Sequence, residues 1–307
     1  MKTFITRGFA LLLTAGLFVW LLQGQHWQGV GERIAQVPPW QIAVAVAAFA
    51  LTYMLRAGRV YDEFRHLGHV GYFGVLRLTL AHNAAINILP FRSGEAAFPL
   101  LLNRWFGVPT ARAVAALLWL RLQDAFVVLA LAALVWPALP AWLRGLWIAA
   151  VALAAWLIPA WARRHPEALP EGGRLAKLMG KLRAALAEST RGSGRSWLWT
   201  IANWSVKLAA QAWLLAALLN ASLATGIAGA MGVELAAILP IQGVAGFGTY
   251  EAGGAALMRP HGVALADGLQ AALALHLFVI ACALAAGGLA LALLPGPKNP
   301  EAPESTT

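Results

Sequence analysis

Residues 86–105 read INILPFRSGEAAFPLLLNRW. Arg92 and Glu95 stand three residues apart, after Pro90 and around Gly94, in a chain where charge is scarce. The apolar segment at 72–90 leads directly into this stretch. If it crosses a membrane completely, every later segment takes one orientation; if it turns back at Pro90, every later segment takes the other. The break therefore decides the fold.

The composition sets the surroundings. Of 307 residues, 60% are hydrophobic and only 12% charged, and the mean hydropathy is +0.67. A soluble domain carries roughly 25% charged residues. Several apolar runs reach or approach the roughly 20 residues that a bilayer-crossing helix needs. These observations predict an all-α polytopic membrane protein with one transmembrane domain over 1–295 and a disordered, proline-rich polar tail over 296–307. The first run, FALLLTAGLFVWLLQ, follows Lys2 and Arg7 as a signal peptide would, but no clean small-x-small cleavage site follows it. It is expected to stay as the first helix.

The formal charge of +10 comes without a basic stripe interleaved with exposed aromatics, so no nucleic-acid partner is expected. It fits basic loops that touch anionic lipid headgroups. Cys282 stands alone, which removes a disulfide framework and a thiolate metal site. No His, Asp or Glu cluster has metal-ligand spacing, so neither metal nor cofactor is expected.

Apolar spans fall at about 7–24, 39–57, 113–137, 143–162, 197–219 and 264–293, and shorter apolar stretches at 72–90 and 226–241 run into Pro and Gly clusters. The long polar loop at 163–196 carries eight Lys and Arg against three glutamates, and its piece RLAKLMGKLRAAL reads as an amphipathic helix on the membrane surface. Lys2 and Arg7 place the N-terminus in the cytoplasm; Arg56, Arg59 and Arg65 place the loop after the second span there too. The loop at 163–196 should also be cytoplasmic, so an even number of crossings separates it from residue 65. The spans at 113–137 and 143–162 already supply two. The expectation is six full crossings plus two re-entrant hairpins that enter from opposite faces. One is formed by 72–90 and the segment after Pro90, the other by 226–258.

Three constellations could carry chemistry. The first runs from His82 to Arg104: Asn83 and Asn87 align one helical turn apart, Pro90 breaks the helix, Gly94 relaxes the backbone, and Arg92 offers a planar fork for phosphate. Glu95 can pair with Arg92 or accept from a headgroup; the alternative is a capped helix end with a snorkelling arginine. The second is RLQD, where Arg121 and Asp124 lie about one turn apart deep in an apolar span. Charges at that depth face a protein interior or a water-filled cavity, or else form a structural pair. The third is LPIQGVAGFGTYEAGGAALM at 239–258. Pro240 closes a segment, Gly243, Gly246 and Gly248 open the backbone, and a helix should restart near Tyr250 with Glu251 in its first turn. Amides at such a break could bind an anion, or the break is a tight turn between packed helices. His276 and Lys207 are lone ionisable groups within apolar spans; His276 could close a hydrogen-bond network in the same cavity.

On these motifs the chain resembles the flippase-like membrane family named for the transmembrane region of lysylphosphatidylglycerol synthase. NILPFRSGEAAFPLLLNRWFGV, WLRLQD and LPIQGVAGFGTYEAG are similar, in order, to three segments of that family, and the likeness extends over about 40–293. Carried over by position, the family's polar and break residues are Asn87, Pro90, Arg92, Gly94, Glu95, Arg121, Asp124, Pro240, Gly246, Gly248 and Glu251. Leu120 stands where the family often has an acidic residue. The resemblance implies movement of polar or anionic lipids across the bacterial inner membrane. Without a soluble synthase domain, it does not imply synthesis. Two other functions stay open: a membrane-embedded enzyme acting on a lipid headgroup, and a scaffold for envelope lipid synthesis.

Overall fold

The computed structural model describes residues 27–89, 93–136, 139–164, 173–190, 193–238 and 244–294. The expected first span at 7–24, Pro90, Arg92, Pro240, Gly243 and the tail at 296–307 lie outside the described residues.

Among the described residues every regular element is a helix. Prolines set where three long helices begin: α2 (Pro39–Phe64) starts at Pro38 and Pro39, α5 (Thr110–Val135) follows Pro109, and α6 (Ala141–Arg163) follows Pro140. A proline at a helix start has its φ preset and gives up only an amide hydrogen that no helical carbonyl would accept. Between them lie α3 (Tyr72–Ile88), a short turn at Ser93–Ala96 and α4 (Ala97–Phe106). The second half runs through α7 (Arg174–Ser189), α8 (Ser193–Leu219), α9 (Leu223–Ile238), a turn at Val244–Gly246, α10 (Thr249–Met258) and α11 (Leu265–Leu293). The short α1 (Trp27–Gln36) precedes them.

Among the described residues four helices are long and apolar enough to cross a membrane, Pro39–Leu67, Thr110–Val135, Ala141–Arg163 and Leu265–Leu293, or five if the bent pair α8–α9 counts as one. The protein is thus an all-α, multi-pass membrane protein with one broken or re-entrant pair. In that pair Gly194–Leu219 and Leu223–Ile238 meet at a bend of 120°. The bend forms at Asn220, whose φ of 47° is a left-handed conformation that asparagine tolerates. At 17 residues, α3 is about 26 Å long, at the lower end of the range for a crossing helix.

α2 packs on α8, α9 on both α8 and α10, and α11 on α3 and α10. One apolar cluster joins α2 to α5 through Val60, Phe64, Leu78, Phe98, Leu102 and Leu120. A second joins α8 to α11 through Leu214, Leu215, Val233, Leu273 and Leu275. Backbones of the second cluster nearly touch: a Cβ on Gly232 would lie 2.2 Å from the Gly253 carbonyl oxygen, and one on Gly226 2.0 Å from that of Ala212. Small residues at a membrane helix interface permit this approach.

Two expectations need correction. α2 continues to Phe64, so Arg56 and Arg59 are helix residues turned inward and not loop cations. They carry no weight in fixing orientation. The amphipathic piece does form α7, but it is clasped to the bundle. Leu186 and Ala187 are buried with Trp119 and Ala162, and Glu188 pairs with Arg112 at 2.5 Å. Its exposed face keeps Lys177, Met179 and Lys181.

α1 is pinned through Arg33, which pairs with Asp267 and donates to Gln270 Oε1 at 3.2 Å and the Leu218 carbonyl at 3.4 Å. The site is partly exposed, so Arg33→Ala should cost about 1 kcal/mol. Hydrogen exchange should quicken across Trp27–Gln36 while α11 keeps its protection; equal loss in both would show that α1 is integral to the bundle.

Candidate functional site

α2 places Thr52, Tyr53, Arg56 and Arg59 on one face, with spacings of one, three and three residues. At 3.6 residues per turn these form a polar stripe. The stripe looks onto a cavity of about 580 Å³ whose wall includes Arg56, Asn83, Asn87, Glu95, Arg121, Asp124, Lys207, Glu234, Tyr250 and His276. The wall is drawn from both halves of the chain. The 93–96 turn and the 244–248 break reach it from opposite ends of the sequence, through Glu95 and through Ala245 and Gly246.

Ion pairs organise the wall. Arg59 Nη1 donates to Asp124 Oδ1 at 2.7 Å, and Trp204 Nε1 donates to the same oxygen at 2.9 Å. The guanidinium is filled further by Thr200 Oγ1 at 2.8 Å and the Leu120 carbonyl at 3.1 Å. Asp124 is therefore fixed. Arg121 stands 3.6 Å from its other oxygen but binds Glu95 more closely, at 2.8 Å and 3.3 Å. His82 Nε2 lies 3.5 Å from the same Glu95. Lys207 pairs with Glu234 at 2.6 Å, and Gln211 bridges Glu234 to the Tyr250 hydroxyl at 2.7 Å and 3.2 Å. His276 Nδ1 meets Glu251 Oε1 at 2.7 Å, with the Tyr250 ring stacked on the imidazole at 4.3 Å.

Arg56 is different. It donates to Asn83 Oδ1 at 3.1 Å and forms no salt bridge with a carboxylate among the described residues. Asn83 is in turn tied to the next turn of α3, where Asn87 Nδ2 donates to its carbonyl at 2.8 Å.

The two breaks are built by different means. Gly94 is needed for space: a Cβ there would lie 2.4 Å from the Ala85 carbonyl oxygen and 2.5 Å from Ile86 Cα. The turn thus presses against α3, and Gly94 supplies close approach where a relaxed backbone was expected. The second break uses left-handed backbone, with φ of 86° at Gly246 and 84° at Gly248. Its free amide is already taken, since Gly248 N–H donates to Glu251 Oε2 at 2.6 Å. At this amide the anion is the chain's own carboxylate.

Of the residues singled out by sequence, Asn87, Glu95, Arg121, Asp124, Gly246 and His276 share the cavity wall, and Glu251 stands behind it on His276. Arg92 lies outside the described residues. Sequence reasoning placed Asn83 beside Asn87, missed Arg56, Arg59 and Glu234 as members of the same cluster, and left Lys207 alone. The helical spacing of Tyr53, Arg56 and Arg59 was the available signal. Among the described residues no group of three His, Cys, Asp or Glu could hold a metal ion.

The family described as lysylphosphatidylglycerol synthase TM region matches residues 8–287. No curated protein and no solved structure matches the chain.

Proposed function

The chain belongs to the family of the lysylphosphatidylglycerol synthase transmembrane region, and from that premise we propose that it moves a polar or anionic lipid between the leaflets of the bacterial inner membrane. The observation that carries this reading is Arg56. It lines a cavity with only an amide for company, while Arg59, Arg121 and Lys207 are each neutralised by a carboxylate. A half-buried guanidinium that faces a cavity with no carboxylate in contact has donors free for a counter-ion. A phosphate entering the cavity would supply that counter-ion with two parallel hydrogen bonds.

Arg56 thus receives the headgroup, and Arg121 assists from the side shared with Glu95. Asn87 positions Asn83, and Asp124 positions Arg59 and Arg121. Arg92 sits in sequence beside the first break and would add a second phosphate ligand. In the topology that accompanies this reading, six crossings and two re-entrant hairpins form one domain over 1–295, with the N-terminus and the loop at 163–196 in the cytoplasm and a polar tail beyond.

Arg56→Gln tests the proposal. In proteoliposomes, translocation of a labelled anionic phospholipid should fall roughly 10- to 100-fold, the worth of a hydrogen bond to a charged group at about 1.5–3 kcal/mol. Thermal unfolding should stay close to the parent, because no carboxylate is stranded. A folded variant that translocates as fast as the parent overturns the reading. Chemical alteration of the recovered lipid would favour a headgroup enzyme instead.

A further inference from the structure

We infer that Glu251 and His276 bind a proton that moves together with the lipid, so that the proposed transport is proton-coupled. The inference rests on the reading above and adds its driving force.

The cavity's carboxylates differ in what neutralises them. Glu95 is held by Arg121 and Asp124 by Arg59. Arginine does not release its proton in a protein, so those pairs keep their charge. Glu234 is held by Lys207 and also by Gln211. Among the described residues Glu251 is paired with a histidine and with no arginine or lysine, whereas Glu95, 3.5 Å from His82, is also held by Arg121. Histidine is the side chain whose ordinary titration falls between pH 5 and 8. Gain or loss of one proton at this pair therefore changes the net charge of the site by one unit.

The geometry suits exchange with the cavity. His276 and Glu251 are only 3% and 6% exposed, yet His276 belongs to the cavity wall. Its Nδ1 is committed to Glu251 at 2.7 Å, while Nε2 has no hydrogen-bond partner among the described residues. With Nδ1–H donated to the carboxylate, a proton from cavity water adds to the Nε2 lone pair and gives an imidazolium–carboxylate pair. Its departure restores the neutral ring beside an anion. The other oxygen of Glu251 holds Gly248 N–H at 2.6 Å, so the same carboxylate fixes the backbone of the second break. Proton occupancy and the shape of the break are thus linked through one side chain.

The charged and titratable groups around the pair come from every neighbouring helix. α10 contributes Tyr250, α9 Glu234, α8 Lys207, α2 Tyr53 and Arg56, and α3 His82. On α11 itself lie Asp267, two and a half turns away and paired with Arg33 of α1, and Cys282. Without the extra proton the pair carries one negative charge in the wall of a cavity that must accept an anion. Protonation removes that charge. Anion binding and proton binding therefore favour each other, and linkage makes the preference reciprocal. The lipid anion and the proton travel in the same direction.

Proteoliposomes of neutral phospholipid carrying a trace of fluorescent phosphatidylglycerol test this, with membrane voltage clamped and one pH unit imposed across the bilayer. One proton per lipid sets a leaflet ratio of up to about tenfold toward the alkaline side, since one pH unit is a tenfold ratio of proton activity. The ratio should return to about one when an ionophore collapses the gradient. His276→Gln and Glu251→Gln should hold it near one whatever their exchange rate. Should a variant no longer exchange, proton uptake on adding phosphatidylglycerol in weakly buffered detergent gives the second readout: about one per parent molecule and none for His276→Gln. Wild-type protein that exchanges lipid but leaves it evenly distributed under the gradient overturns the coupling alone. Variants that keep the gradient response overturn the assignment to this pair. Wild-type protein that exchanges no lipid removes the transport reading and the coupling with it.

Discussion

Asp124→Ala should destabilise the folded protein by roughly 3–5 kcal/mol, the cost of stranding one member of a buried ion pair. Arg59 is 4% exposed and would keep its charge with only Thr200 and the Leu120 carbonyl as partners. Trp204 Nε1 would lose its acceptor as well. Thermal unfolding in detergent, followed by tryptophan fluorescence, reads the loss directly. The companion measurement is the double substitution Arg59→Met with Asp124→Leu, which removes both charges. It should regain much of the stability, because no charge is left stranded and only Trp204 Nε1 still lacks its acceptor. Lost lipid movement in Asp124→Ala would then result from a collapsed wall and not from a missing headgroup contact. A single variant as stable as the parent would show that water reaches Arg59 and that the pair is not structural.

Gly232→Val should abolish the folded state. A Cβ alone would meet the Gly253 carbonyl oxygen at 2.2 Å and Gly254 Cα at 3.1 Å, and neither atom can rotate away. Overpacking a well-filled core costs about 1–3 kcal/mol when side chains can yield, and more when backbone must move. α9 and α10 would have to separate, drawing Tyr250 away from the Gln211–Glu234 pair. Size-exclusion of the solubilised protein should show aggregate where the parent is monodisperse. Gly288→Ala is the control, since a Cβ there meets nothing within 4 Å and removes a helix-interior glycine. It should be neutral or gain up to about 1 kcal/mol. A monodisperse Gly232→Val would mean the two helices are farther apart than described.

How much of this was legible in the sequence depended on the range of the interaction. α5, α6 and α11 begin and end within three residues of the spans read from hydropathy, because apolar length and flanking proline are local properties. The end of α2 was misplaced because Arg56 and Arg59 resemble loop cations until the period of their polar neighbours is counted. The break residues Gly246 and Gly248 and the first-turn position of Glu251 came from local chain geometry. The pairing did not. Arg59 and Asp124 are 65 residues apart and Glu251 and His276 are 25 apart, and only the apolar cluster that joins α2 to α5 and the packing of α10 on α11 bring such partners together. Arg121 was expected to neutralise Asp124 on its own helix; the tertiary fold offers Glu95 at shorter range.

The lightly buried helix α6 also measures depth. Trp142 and Trp161 stand exposed near its two ends, 71% and 53%, where indole rings settle at membrane–water boundaries. Nineteen residues separate them, so they lie about 28 Å apart, close to the roughly 30 Å of hydrocarbon. Trp147 Nε1 donates to the Leu129 carbonyl at 3.1 Å and sets the register of α6 against α5, which runs the opposite way. From the Trp142 boundary, five residues of α6 reach Trp147, and five residues of α5 from Leu129 reach Asp124. Together they descend about 15 Å. The Arg59–Asp124 pair, and the cavity beside it, therefore lie level with the middle of α6, about as far from Trp142 as from Trp161.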